Sequence, residues 1–273
     1  MNEVRVRDVP VSFVVAPSPG SPNRQVMPMT LRYVFGATLA LCIFGTAAVA
    51  AQQADTTKKT IKFTGNVGLV NAAGNSSVTT LNTDERIDWA AGGWGVAESF
   101  SVIYGKNDSA TTASTWSGLL RGDRALDSRL SVYGLVNYDR NTFAGFDRRF
   151  EEGLGLGIQA LRAPRDSIDT EIGFSYTEQH NTDTTENDFP SARAAGTYTH
   201  TFSKTAFFRQ GVEVLPDLKV TQNLRVNSET ALVASLSANI ALKFSYVVHF
   251  DNQPEPGFKK SDRLLTTGVQ VTF

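Results

Sequence analysis

The sequence predicts an all-β fold, an antiparallel up-and-down transmembrane β-barrel of about twelve strands. Three observations carry that prediction. From Thr60 onward the hydrophobic period is two rather than 3.6. Polar connections of alternating length separate the alternating segments. The last segment, TTGVQVTF from Thr266 to Phe273, is still alternating at its final residue, where soluble chains usually fray.

The bulk composition narrows the classes further. With 273 residues, 41% of them hydrophobic, and a formal charge of −1, the chain suits one all-β domain or two small ones. It is neither basic nor acidic enough to point to nucleic acid. Glycine is plentiful (22) and falls inside regular segments, which curved, closely packed strands tolerate better than helices do.

Residues 1–51 read as targeting sequence rather than fold. Arg32 precedes an apolar run from Tyr33 to Gly45, and Ala48-Val49-Ala50 supplies the small residues that a signal peptidase accepts. Cleavage is expected after Ala50 or Ala51, leaving residues 52–273 as the barrel domain. The Pro-containing stretch before Met27 is too long for an n-region, and Met27 or Met29 suits a translation start better. Cys42 lies within the apolar run, and Leu41 is too large for the position before a lipidated cysteine. The mature chain then has neither a disulfide nor a thiolate nucleophile.

Taken in order, the strands are expected near residues 65, 83, 99, 117, 134, 155, 173, 197, 209, 229, 244 and 268. The first places Ile61, Phe63, Val67 and Leu69 against Lys62, Thr64 and Asn66. The sixth places Leu154, Leu156 and Ile158 against Gly153, Gly155, Gly157 and Gln159, and the seventh places Ile172, Phe174 and Tyr176 against Glu171 and Ser175. In the eleventh, Ile240, Leu242, Phe244, Tyr246, Val248 and Phe250 share one face. Connections after odd strands read as long and polar (NAAGNSS, KNDSATT, RNTFAGFD, NTDTTENDFP, LPDLKVTQ, NQPEPGFKKSD). Those after even strands read as short (AGG, LDS, APRDS, SK, SAN).

A soluble barrel or sandwich also alternates, but turns its apolar face inward. Aromatic residues near strand ends (Trp89, Trp94, Tyr104, Trp116, Tyr138, Phe143, Tyr176, Phe202, Phe250) favour a membrane, where they form interfacial girdles. Charged side chains on a lipid face cost about 2–4 kcal/mol at mid-membrane. The register should therefore turn Lys62, Arg121, Glu151, Glu171, Arg193, Arg209, Glu213, Arg225, Glu229 and Lys243 into the lumen. Their mixed signs suggest salt-bridged packing and a narrow or plugged bore.

Chemistry is thinly signalled. His180, His200 and His249 form no short-range catalytic or metal spacing, so a surface role for the first and girdle or lumen roles for the others are expected. GLGLG (Gly153–Gly157) has period two and no following lysine, so it reads as a strand with a bare inward face, not a phosphate loop. Those bare positions make room for long side chains on neighbouring strands. Asp183, Glu186 and Asp188 lack calcium-loop spacing. No catalytic residue, metal ligand or cofactor is assigned.

The pieces YDRNTFAGFDRRFEEGLGLG (Tyr138–Gly157) and YVVHFDNQPEPGFKKSDRLLTTGVQVTF (Tyr246–Phe273) resemble a bacterial family known as domain of unknown function 481, also labelled salt-induced outer-membrane protein. The shared features are an arginine leading into an alternating glycine strand (Arg149–Gly157) and Asn252, Pro254, Gly257 and Asp262 before the closing strand. The resemblance implies an outer-membrane barrel and a link to salt or osmotic stress, without an activity. The last strand likewise resembles the outer-membrane assembly signal at Thr266, Gly268, Val271 and Phe273, which implies recognition by the barrel-assembly machinery. The expectation is a monomer in outer-membrane lipid, structural or narrow-pore and not an enzyme. The competing readings are an outer-membrane lipid hydrolase and a soluble periplasmic β-barrel binding protein.

Overall fold

A computed structural model describes residues 60–73, 78–107, 110–142 and 144–273. The signal-peptide reading, with Ala48 and Ala50, and the aromatic Phe143 lie outside these residues. Twelve strands run in chain order: β1 (Thr60–Ala73), β2 (Val78–Ala91), β3 (Trp94–Asn107), β4 (Ala110–Ala125), β5 (Leu130–Asn141), β6 (Phe146–Arg162), β7 (Asp166–Asn181), β8 (Glu186–Thr201), β9 (Ala206–Pro216), β10 (Leu224–Ser235), β11 (Ile240–Asp251) and β12 (Ser261–Thr272). Each pairs antiparallel with its sequence neighbours, and β12 closes on β1. The predicted fold is the one observed, and every expected strand centre falls inside a strand. Among the described residues no helix is long and apolar enough to cross a membrane.

The seam is complete at its end. Phe63 and Phe273 exchange both backbone hydrogen bonds at 2.9 Å, and their rings stand 6.5 Å apart. Gly68 faces Gly268 across it, and a Cβ on Gly268 would meet the Val67 carbonyl at 2.6 Å, so the close approach requires glycine there.

The alternation sorts into two surfaces. In a closed barrel a buried side chain points inward, and in β5 these are Ser131, Tyr133, Leu135, Asn137, Asp139 and Asn141. The outer surface carries the large apolar residues: Leu154 is 67% exposed, Ile61 64%, Phe174 63% and Val67 56%. The face bearing Phe244 and Tyr246 points out as well. A water-soluble barrel would hide those residues, so this geometry is not the soluble one. Trp116 stacks on Tyr138 at 4.7 Å in one aromatic girdle, while Tyr198 packs on Phe208 toward the opposite rim.

One expectation needs correction. Some of the connections read as long are partly absorbed into strands: β7 runs to Asn181 and β8 starts at Glu186, so most of NTDTTENDFP is ladder. The reason is that a hairpin keeps its backbone hydrogen bonds satisfied beyond the apolar band, where polar side chains on either face do no harm. Among the described residues the connection between β11 and β12, residues 252–260, is the longest at that rim, with 217–223 next. At the other rim Gly92 and Gly93 turn with positive φ, and Asp127 Oδ1 accepts the backbone N–H groups of Arg129 and Leu130. Those two bonds hold the exposed Asp127 carboxyl below its usual pKa.

Candidate functional site in the barrel lumen

Two of the cavities in the lumen share no lining residue. One, of about 1050 Å³, opens at the short-turn rim and is lined by Lys62, Asp84, Arg86, Arg209, Glu229 and Lys243 among others. The other, of about 90 Å³, lies toward the long-loop rim among Asp139, Arg149, Glu151, Arg225, Asn227 and His249. Arg121, Tyr133, Glu171, Arg193 and Glu213 line neither cavity.

Those five residues form a belt between the cavities. Arg121, fully buried, donates to both carboxylate oxygens of Asp123 at 2.6 and 2.7 Å and to Glu171 at 3.0 and 3.2 Å. Arg193, 2% exposed, donates to Glu171, Glu213 and the Tyr133 hydroxyl, each at 2.7 Å. Both guanidinium groups also sit over the Tyr133 ring, at 4.3 and 5.1 Å. Asn227 then donates to Glu213 at 2.9 Å and contacts His249 Nδ1 at 2.8 Å. The chain of contacts thus crosses the lumen from β4 to β11.

Sequence spacing explains how Tyr133 fits. Tyr133 pairs with Gly155, Gly155 with Gly173, and Gly173 with Arg193, in one cross-strand row. The side chain lies across the two glycines to reach Arg193. A Cβ on either glycine would stand 2.6 Å from the Tyr133 hydroxyl. The bare inward positions of the glycine strand therefore seat one particular aromatic residue, which sequence reading did not single out. A tyrosine two residues before an inward leucine on a neighbouring strand was the available signal.

The structure places Glu171, Arg193 and Glu213 in the belt. Arg225 lies above it, donating to Glu151 and to the Thr177 hydroxyl at 3.0 Å. Lys62, Arg209, Glu229 and Lys243 line the larger cavity, with Lys243 Nζ 3.0 Å from Glu229. Thr266 and Gly268 share the inward face of β12, and Phe273 is 71% exposed on the outer face. Glu85, Glu98 and Glu152 alternate outward, so not every strand carboxylate turns into the lumen. Long side chains of this kind reach water or headgroups by extending along the surface. Among the histidines, His180 bonds Arg148 and Glu186, and His200 bonds Asp166; neither lies in the belt.

This architecture, a closed antiparallel barrel with an apolar exterior and a charged interior, is that of the outer-membrane β-barrel class. The chain belongs to the family described as protein of unknown function, DUF481, whose model matches residues 65–273. It is 26% identical over 210 residues to the uncharacterized protein YdiY of Escherichia coli (strain K12), covering 75% of this chain and 80% of that one. Among solved structures, the NanC porin matches with a TM-score of 0.54 at 11% identity, over 76% of this chain and 98% of that one. The translocator domain of the autotransporter NalP from Neisseria meningitidis matches with a TM-score of 0.50 at 12% identity, over 78% and 88%. At such identities the likeness is one of fold.

Proposed function

We propose that the protein is a monomeric outer-membrane barrel of the cell envelope that acts as a structural element or narrow pore and performs no catalysis. The observation that carries this reading is the belt of Arg121, Tyr133, Glu171, Arg193 and Glu213, interposed between two cavities that share no wall residue. Ion pairs closed across the lumen leave little free charge to select a solute and little width to pass one. Membership of the family and the barrel shared with the NanC porin support the outer-membrane location. The apolar exterior supports outer-membrane lipid as its surroundings. Thr266, Gly268, Val271 and Phe273 on β12 are the expected contact for the barrel-assembly machinery. The stress link implied by the family resemblance would appear as a rise in expression under salt or osmotic load.

The test is single-channel conductance of the purified, folded protein in planar bilayers across a salt series. Small discrete steps, or silence, are expected from protein whose folding is established by circular dichroism and heat-modifiable migration. A large, weakly selective conductance would overturn the constricted bore. Hydrolysis of phospholipid by the same preparation would overturn the non-enzymatic reading.

A further inference from the structure

The segment Asn252-Gln-Pro-Glu-Pro-Gly-Phe-Lys-Lys260, singled out in the sequence, has no part in the belt. It joins β11 to β12, yet it touches the barrel on the opposite side. Glu255 Oε1 accepts the side-chain amides of Asn181 at 2.6 Å and Asn187 at 3.1 Å, on β7 and β8. Phe258 and Glu255 lie against Gly145, in the β5–β6 connection; a Cβ there would stand 3.0 and 2.9 Å from their side chains. From β12 to β6 is six steps in a ring of twelve strands, so the loop spans the mouth. Its residues Gln253, Pro254, Glu255, Lys259 and Lys260 form the ceiling of the small cavity whose walls include Asp139, Arg225 and His249.

The way the loop is fixed separates a base from a flap. Asn252 donates its backbone N–H to the Leu224 carbonyl at 3.0 Å and its side-chain amide to the Gln222 carbonyl at 2.8 Å. Lys260 closes the other end: its carbonyl accepts from Asp251 N–H at 2.8 Å, and its ammonium donates to Asn252 Oδ1 at 2.9 Å. Both ends are thus tied to each other and to the β9–β10 connection. Between them Pro254 and Pro256 each fix a φ angle beside Glu255, which stiffens the flap. Gly257, at φ +93°, turns the chain back at the tip. The Glu255 carboxylate and the Phe258 ring hold the far side of the flap, and the far rim that receives them is itself tied together, Thr182 N–H donating to the Gly145 carbonyl at 2.9 Å.

We propose that residues 253–259 form a stiff lid over the long-loop mouth, hinged at Asn252 and Lys260, latched shut by Glu255 on Asn181 and Asn187, and seated by Phe258 against Gly145. Closed, it leaves beneath it a space of about 90 Å³, a few water molecules' worth, and so narrows the way by which a solute reaches the belt from that side. The lid is independent of whether the bore conducts, since access to the upper lumen and passage through the belt are separate events.

The test reads access, not current. In a Cys42→Ser background, His249→Cys places a thiol on the cavity wall below the lid, and Asp188→Cys places a reference thiol on the exposed rim. Labelling of the folded barrel by a bulky maleimide is expected to be slow at the first and fast at the second. Adding Glu255→Ala should speed the buried site about tenfold, the scale of losing hydrogen bonds to a half-exposed carboxylate. Glu255→Gln, which keeps an acceptor for both amides, should restore slow labelling. Equal rates at the two thiols, or no response to Glu255→Ala, would overturn the lid. Should Glu255→Ala not fold, Asn187→Cys with Glu255→Cys decides: a disulfide forming under mild oxidant supports the latch, and its failure to form in folded protein refutes it.

Discussion

Replacing Arg193 by alanine probes the belt where its connections converge. The guanidinium makes 2.7 Å contacts with Glu171, Glu213 and the Tyr133 hydroxyl, and its side chain is wholly shielded. Its loss leaves Glu213 with Asn227, leaves Glu171 with Arg121, and strips Tyr133 of its donor. Breaking a buried pair by removing one partner costs about 3–5 kcal/mol, because the surviving charge stays desolvated. Arg140 and Asp147 provide the contrast: their contact is 3.2 Å, but the side chains are 46% and 56% exposed. Such a pair is worth about 1 kcal/mol or less. Guanidinium unfolding of the folded barrel in detergent, monitored by tryptophan fluorescence, should therefore show a large fall in midpoint for Arg193→Ala and almost none for Arg140→Ala. The same Arg193 variant, where it folds, should raise single-channel conductance by removing a side chain from the constriction. A stability loss under about 1 kcal/mol, with no change in conductance, would refute the view of the belt as a desolvated network.

Gly173→Ala should cost about 1–3 kcal/mol and displace Tyr133, since the new Cβ would collide with the Leu154 carbonyl and stand 2.6 Å from the Tyr133 hydroxyl. Gly122→Ala, with nothing within 4 Å of the added atom, should be near neutral; equal losses in the two variants would count against the seating of Tyr133. Deleting Phe273 removes the ring beside Phe63 and a pair of backbone bonds at the seam, and should lower the yield of heat-modifiable barrel in outer membranes. Unchanged yield would argue against a part for Phe273 in assembly. The latch should depend on pH. Burial first, then the charge of Asp183 and, further down, of Asp251, hold the Glu255 carboxyl above its usual pKa, opposed by the Asn181 hydrogen bond and by Arg149. A raised carboxyl favours its neutral form in the closed state, so closure is fullest below the ordinary glutamate pKa of about 4.3 and weakens as pH rises through the raised value. Labelling at His249→Cys, normalised to Asp188→Cys, should accelerate as pH rises above the ordinary glutamate range in the parent and stay flat in Glu255→Gln.

The strands were legible because a barrel wall has a lipid side and a lumen side, so period two recurs in the strands from β1 to β12, shifted only at local irregularities such as that between Phe146 and Arg148. Inward charges were legible for the same reason: Lys62, Glu171, Arg193, Arg209, Glu213, Arg225, Glu229 and Lys243 each sit opposite the apolar parity of their strand. The limits of strands were not legible. Polar alternation above the apolar band looks like loop in a sequence, yet antiparallel pairing continues through it, as between His180 and Glu186.

Contacts across the lumen were invisible for a different reason. Arg121 and Glu171 are 50 residues apart, and Arg225 and Glu151 are 74 apart. No local period encodes such pairs; they follow from closure, which fixes which inward rows share a height. Closure also explains why the two kinds of glycine carry different meanings here. Gly155 and Gly173 are bare so that Tyr133 can lie over them, whereas Gly257 is bare because its backbone turns to φ +93°. The first pair belongs to the packed, ion-paired interior. The second belongs to the β11–β12 loop, and the two lie on opposite sides of the small cavity. A barrel that needed only to be sealed would be served by the belt alone. A second closure that rests on one carboxylate and two amides, and spans the mouth from the far side of the ring, makes sense when the space between belt and lid is entered from outside.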